Sequence, residues 1–123
     1  MEPNQTFNRL LTAWNEDDET SRAEIVRQTL AETFLYADQH RPGEIQGREE
    51  FEEFLSIFRS RVPGVVVSPG PEFSHHHGYG RADFVITRDS AVFATGTYFL
   101  MFDEDARITR MIGFVDANRG NNP

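Results

Sequence analysis

Between Thr6 and Glu16 apolar residues return at Phe7, Leu10, Leu11 and Trp14. That spacing of i, i+3, i+4 and i+7 draws one stripe along an amphipathic helix. Asn15 to Thr20 interrupts the stripe with a polar, acidic stretch. Ser21 and Glu24 then stand at capping-box spacing, where a hydroxyl and a carboxylate satisfy the unpaired N–H groups of a first turn. A second helix is therefore predicted from Arg22, with Ile25, Val26, Thr29 and Leu30 facing inward. After Gly47, Phe51, Phe54, Leu55 and Phe58 recur at helical spacing until Pro63-Gly64 stops them, which predicts a third helix. Phe54 and Phe58, one turn apart, are expected on its inner face.

Beyond Gly64 the period changes. Val65-Val66-Val67, Gly80 to Thr87, Ala91 to Phe102 and Arg107 to Val115 are rich in β-branched and aromatic residues. Turn signals separate them: Pro69-Gly70-Pro71, Arg88-Asp89-Ser90 and Asp103-Glu104-Asp105-Ala106. Turns this short imply hairpins and hence an antiparallel meander. Two further short strands, Thr33 to Asp38 and Glu44 to Gln46, flank the loop Gln39 to Gly43. Helices segregated from an antiparallel sheet define an α+β domain. At 123 residues the chain has room for one such domain, with a core over about 5–116 and a polar, flexible tail at 117–123.

Composition sharpens this picture in three places. Eleven phenylalanines, against three tyrosines and one tryptophan, mark phenylalanine as the main builder of the interior. A net charge of −8 disfavours nucleic acid and anionic membrane surfaces, which call for clustered basic residues. The absence of cysteine excludes disulfides and thiolate chemistry. The polar, acidic opening Met1-Glu2-Pro3-Asn4 and the lack of a long apolar run lead us to expect a cytoplasmic protein with no membrane association.

The order of elements, together with several local phrases, resembles the nuclear transport factor 2-like superfamily, in its SnoaL-like and ketosteroid isomerase-like branches. The phrases are Ala13-Trp14-Asn15-Glu16-Asp17-Asp18, then Phe34-Leu35-Tyr36-Ala37-Asp38 leading to Gly47-Arg48-Glu49, and Phe58-Arg59-Ser60-Arg61-Val62-Pro63-Gly64. His76-His77-Gly78, Gly96-Thr97-Tyr98-Phe99, Asp103-Glu104-Asp105-Ala106-Arg107-Ile108 and Gly113-Phe114 complete the series. The resemblance implies a cone: a curved antiparallel sheet wrapped around about three N-terminal helices, enclosing an apolar pocket. It also implies a homodimer, since relatives pair through the outer sheet face. Along Ala91 to Phe102 both strand faces are substantially apolar, with Val92, Ala94, Tyr98, Leu100 and Phe102 on one and Ala91, Phe93, Phe99 and Met101 on the other. One face can cover the pocket and the other would lie bare.

Asp38 is the leading catalytic candidate. It precedes Gly47 by nine residues, the placement of the catalytic aspartate in ketosteroid isomerases. A carboxylate at the mouth of an apolar cavity can take a proton from carbon next to a carbonyl. The alternative is a turn aspartate, solvated or paired with Arg41. Tyr98 falls where isomerase and cyclase relatives often place a cavity-facing acid, and its phenol could stabilise an enolate oxygen. The other reading makes it a core tyrosine. The isomerases also use a tyrosine on the first helix, and the matching position here is Leu10, which argues against steroid isomerase activity.

Trp14, Tyr36, Phe54 and Phe58 are candidates for lining the pocket, with His40 and His77 as polar auxiliaries. His75 and His77 share a strand face and invite a metal hypothesis with Asp83, but a zinc site needs further ligands and no spacing rule singles one out. Asp103-Glu104-Asp105 lacks the frame of a calcium loop. No metal and no cofactor is expected, since no dinucleotide, phosphate-loop or zinc-protease motif occurs. Two functions stay open. One is a cofactor-independent acid–base enzyme, of isomerase, cyclase or dehydratase type, acting on a small hydrophobic carbonyl compound. The other is a non-catalytic ligand-binding or dimerisation module.

Overall fold

A computed structural model describes residues 1–116; the tail expected at 117–123 lies outside them. The elements are α1 (Pro3–Asn15), α2 (Glu19–Thr29), β1 (Leu30–Asp38), β2 (Ile45–Gln46), α3 (Gly47–Arg61), β3 (Val65–His76), β4 (Tyr79–Arg88), β5 (Ala91–Phe102) and β6 (Ile108–Val115). The six strands form one sheet in the order β2-β1-β6-β5-β4-β3. The sheet curves around the helices without closing into a barrel, and the α+β cone is the fold expected. Among the described residues no helix is long and apolar enough to cross a membrane.

The predicted stripe on α1 is buried at Phe7, Leu10, Leu11 and Trp14. The helix starts earlier than its stripe, because Pro3 suits a first helical position and the Gln5 side chain accepts from the Glu2 N–H at 2.8 Å. The start of α2 differs from the sequence expectation. Asp18, not Ser21, is the N-cap, its carboxylate accepting from the Ser21 N–H at 2.8 Å. A carboxylate at a helix start gains from the dipole as well as the hydrogen bond, so it wins over the hydroxyl three residues later. Glu24 instead pairs with Arg27. Leu30 ends this helix and opens β1, which therefore begins three residues before the expected Thr33.

Two corrections concern the sheet. It is mixed, not antiparallel, because β1 runs parallel to β6, with Tyr36 beside Met111 and Asp38 beside Gly113. Short turns dictate antiparallel pairing only between successive strands. β1 and β6 are joined through all the intervening elements, so helix packing sets their relative direction. Arg48 contributes, its guanidinium donating two bonds of 3.0 and 2.8 Å to the Leu30 carbonyl and tying α3 to the start of β1.

Pro69-Gly70-Pro71 is not a turn either. It lies inside β3, where a register shift puts the four-residue step from Pro69 to Phe73 opposite the two-residue step from Phe84 to Ala82. β3 is an edge strand, and an edge tolerates proline because the missing N–H need not feed a ladder. Gly70 fits because a Cβ there would lie 2.6 Å from the Asp83 Cβ.

The hairpin turns are His77-Gly78 and Asp89-Ser90, both with positive φ at each residue. At the third turn Asp103 accepts from the N–H groups of Asp105 and Arg107, each at 2.9 Å, and so closes the β5–β6 connection. A bulge between Ile86 and Thr87 pairs Ile86 with Ala94 and Thr87 with Val92. It breaks the alternation assumed for β5, and Val92 is exposed although it was expected to share the inner face with Tyr98 and Leu100.

Candidate functional site

Aromatic rings from five elements meet between the helices and the sheet. Trp14 closes the last turn of α1 and packs edge-on against Phe51 and Phe54, with ring centroids 5.4 and 6.4 Å away. Tyr36 comes from β1 and reaches Phe54 at 5.3 Å. Tyr98, on β5, stacks on Phe84 at 4.5 Å. Among these rings lies a cavity of about 370 Å³. Trp14, Tyr36, Phe54, Phe58 and Tyr98 line it, as do Asp38 and His40. Seven of the eight residues singled out in the sequence thus share one cavity.

His77 does not. It occupies the β3–β4 turn with φ 53°, among exposed histidines, where its Nδ1 lies 3.0 Å from that of His76. The strand ends at His76, just before Gly78 as the sequence suggests, and the two-residue hairpin carries His77 away from the cavity. His75 packs against Phe102, and Asp83 accepts from the Thr97 hydroxyl at 3.2 Å. Among the described residues no group of three or more His, Asp or Glu side chains could hold a metal ion.

Asp38 is half-buried at the end of β1, and both of its carboxylate oxygens are engaged. Tyr36 donates its hydroxyl to Oδ2 at 2.7 Å, and the His40 N–H donates to Oδ1 at 2.8 Å. The second bond is an Asx turn, which starts the loop. The two readings of Asp38 are therefore compatible: it forms the turn and it lines the cavity. It has no ion pair with Arg41.

Tyr36 and Tyr98 both hold their protons more tightly than ordinary tyrosines. For Tyr36 burial is the main cause, with the neighbouring Tyr98 and the Asp38 charge adding to it. Burial likewise raises Tyr98; the Tyr36 hydroxyl opposes the rise in part, and Asp38 adds to it. A phenol kept neutral remains a hydrogen-bond donor.

The sequence reading missed two residues that build this site. Gly113 pairs with Asp38 on one side and with Tyr98 on the other. A Cβ on Gly113 would lie 2.7 Å from Tyr98 Cε1 and 3.5 Å from the Asp38 Cβ. The acid and the phenol approach each other across this bare position, and a lone glycine inside a strand is the signal that could have found it. Asn15 was read as part of a loop. It ends α1 and exchanges two 2.8 Å hydrogen bonds with the backbone of Val67 in the cavity wall. No local pattern announces such a long-range bond.

Leu10, where the isomerases have a tyrosine, is fully buried and offers no donor. The phenols of this cavity come from β1 and β5.

Three helices and a curved, open sheet give the chain the fold of the nuclear transport factor 2-like α+β cones, as the sequence resemblance implied. No protein-family model matches the chain, and a comparison with curated proteins finds no match. Solved structures do match. A candidate isomerase of the SnoaL-like family from Agrobacterium tumefaciens superposes with TM-score 0.83 at 26% identity, covering 94% of this chain and 95% of that one. A candidate SnoaL-like polyketide cyclase from Jannaschia sp. CCS1 gives 0.74 at 13% identity, covering 93% and 85%. A protein of ketosteroid isomerase-like fold from Catenulispora acidiphila, solved with trimethylamine, gives 0.71 at 13%, covering 88% and 82%. These likenesses support the fold, and fold alone does not assign a reaction.

Proposed function

We propose that the cavity receives a small hydrophobic carbonyl compound and that Asp38 moves a proton on it without a cofactor. The observation that carries this reading is the convergence of Asp38, Tyr36 and Tyr98 on one apolar cavity. In the step we envisage, a C–H bond next to the carbonyl breaks and the Asp38 carboxylate takes the proton. The electron pair moves through the new C=C bond onto oxygen, and Tyr98 donates a hydrogen bond to the enolate. Return of the proton to a different carbon completes an isomerisation. Its transfer to a departing hydroxide, which leaves as water, completes a dehydration. Trp14, Phe54 and Phe58 exclude water and hold the skeleton, and His40 stands at the rim.

The test is a screen of cyclic enones and polyketide-like carbonyl compounds for thermal stabilisation, followed by product analysis. Asp38→Asn should preserve folding and remove turnover by about 10²–10⁴-fold. Tyr98→Phe should lower the rate with little change in ground-state binding. Ligands that stabilise the protein but return unchanged from wild type and both variants would leave the non-catalytic binder. One observation favours that second reading: Tyr36 and the His40 amide already occupy both Asp38 oxygens.

We also propose a homodimer through the outer face of the sheet. Tyr79, Phe99, Met101 and Phe114 are exposed there at 55%, 45%, 40% and 49%. Tyr79 is registered with Met101, and the rings of Phe99 and Phe114 lie 5.8 Å apart, so the residues form a continuous apolar patch of the kind that monomers seldom expose. Sedimentation should give a dimer at micromolar concentration and a monomer for Phe99→Glu. A monomeric wild type would overturn this proposal.

A further inference from the structure

The mouth of the cavity is not neutral. Arg41 follows the Asp38 turn and Arg61 ends α3, and both line the cavity together with a single acid, Asp38. The two arginines and the one acid give the lining a formal excess of one positive charge, in a chain of net charge −8. Neither arginine forms an ion pair with a carboxylate among the described residues. Arg41 rests instead on an aromatic face, its guanidinium carbon 5.5 Å from the Phe54 ring centroid. The contrast with Arg59, two residues before Arg61 on the same helix, is direct. Arg59 is bonded to Asp17 at 2.7 Å and to the Val65 carbonyl at 3.1 Å.

Twenty acidic residues are available in this chain, and both arginines at the mouth stand clear of them. Asp38, the one acid in the lining, is held by Tyr36 and the His40 N–H. A guanidinium is a planar, permanently charged fork suited to bidentate capture of a carboxylate. Beside a low-dielectric aromatic wall its attraction for an anion exceeds that in open water.

We propose that the ligand is a hydrophobic acid: a carbonyl compound whose carboxylate lies at the mouth on Arg41 and Arg61. Its apolar body fills the space lined by Trp14, Phe54 and Phe58, and its carbonyl reaches Asp38 and Tyr98. This deepens the proposed function and rests on it for the carbonyl, but not for the carboxylate.

Matched pairs separate the charge from the skeleton. β-Benzoylpropionate, phenylpyruvate and levulinate, each with its methyl ester, would be titrated calorimetrically into wild type, Arg41→Gln and Arg61→Gln. Both arginines are exposed, and unchanged melting temperatures would confirm that the variants fold. At least one acid should bind about tenfold or more tightly than its ester in wild type, the scale expected of a charge-assisted hydrogen bond. Each substitution should erase most of that preference and leave ester binding alone. The inference is overturned if no acid outbinds its ester or if the preference survives in both variants. Tighter binding of phenacyltrimethylammonium, a cation for an aromatic cage, would overturn it too. Binding is read here without turnover. An acid preference in a protein that converts none of these compounds would uphold the carboxylate site and count against the enzyme. Turnover of esters with no acid preference would do the reverse.

Discussion

Two ends of one aromatic interior have different jobs. Near the closed end, Phe7, Leu10, Leu11, Phe34, Phe51 and Leu55 have no more than 1% exposure and fill the space between the helices and the sheet. At the other end Trp14, Tyr36, Phe54 and Phe58, from the same three elements, and Tyr98 from β5 leave about 370 Å³ open. The residue types hardly differ. What differs is that the open end also receives a carboxylate and two neutral phenols, which need partners that a dry core would not supply. Helix α3 shows the division within a single turn: Phe51 and Leu55 are buried, while Phe54 and Phe58 are half-buried in the cavity wall. Phe54 and Phe58 face inward as expected, but they form the cavity wall and not the fully packed core.

The largest effect should separate these two faces. Phe51→Ala is expected to cost about 3–5 kcal/mol, the range for a fully buried phenylalanine. Phe58→Ala should cost less than half as much, because the cavity already exists beside it, and should instead weaken ligand binding. Urea midpoints of the two variants test this, and equal losses would break the distinction between packed and open ends.

Next comes the bare position between acid and phenol. Gly113→Ala places a methyl group 2.7 Å from Tyr98 Cε1, so the ring or the strand must shift, at about 1–3 kcal/mol for overpacking. Ligand affinity should fall with it. A variant with wild-type melting temperature and binding would show that Tyr98 is not held where the cavity needs it.

A smaller effect depends on pH. Tyr36 and Tyr98 hold their protons more tightly folded than unfolded. Above pH of about 10 the unfolded chain loses these protons and the folded chain keeps them. The stability they contribute is therefore complete below that pH and is lost as pH rises toward their folded values. Between pH 9 and about 11 the urea midpoint of wild type should fall more steeply than that of Tyr98→Phe. Parallel curves would contradict the burial of this hydroxyl.

The smallest effect lies outside both regions and serves as a control. The Ser21 N–H holds the Asp18 carboxyl below its usual value, so the stability it contributes is present at neutral pH and is lost as pH falls through that lowered value. Asp18→Ala should lower the melting temperature slightly at neutral pH, less so in acid, and leave ligand binding untouched. An unchanged melting temperature would mean that another group caps α2.

Much of this was legible in the chain itself. The apolar stripes of α1 and α3, the change to strand period after Gly64 and the short turns after Arg88 and Phe102 are local signals, each written within a few residues, and each became the element expected. The spacing of Asp38 and Tyr98 within recognisable phrases was enough to bring seven of eight candidates to one cavity. Other features depended on partners far along the chain. The direction of β1 beside β6, the passage of Pro69-Gly70-Pro71 through an edge strand and the bulge that exposes Val92 follow from which strand lies next to which. The same is true of Gly113, whose missing side chain matters only because Tyr98 and Asp38 flank it, and of Arg41 and Arg61, which share a cavity mouth although twenty positions separate them. Periodicity records how a residue relates to its own helix or strand. Where two elements meet, and whether the space between them is filled or left open, is decided by packing over distances that no local pattern contains.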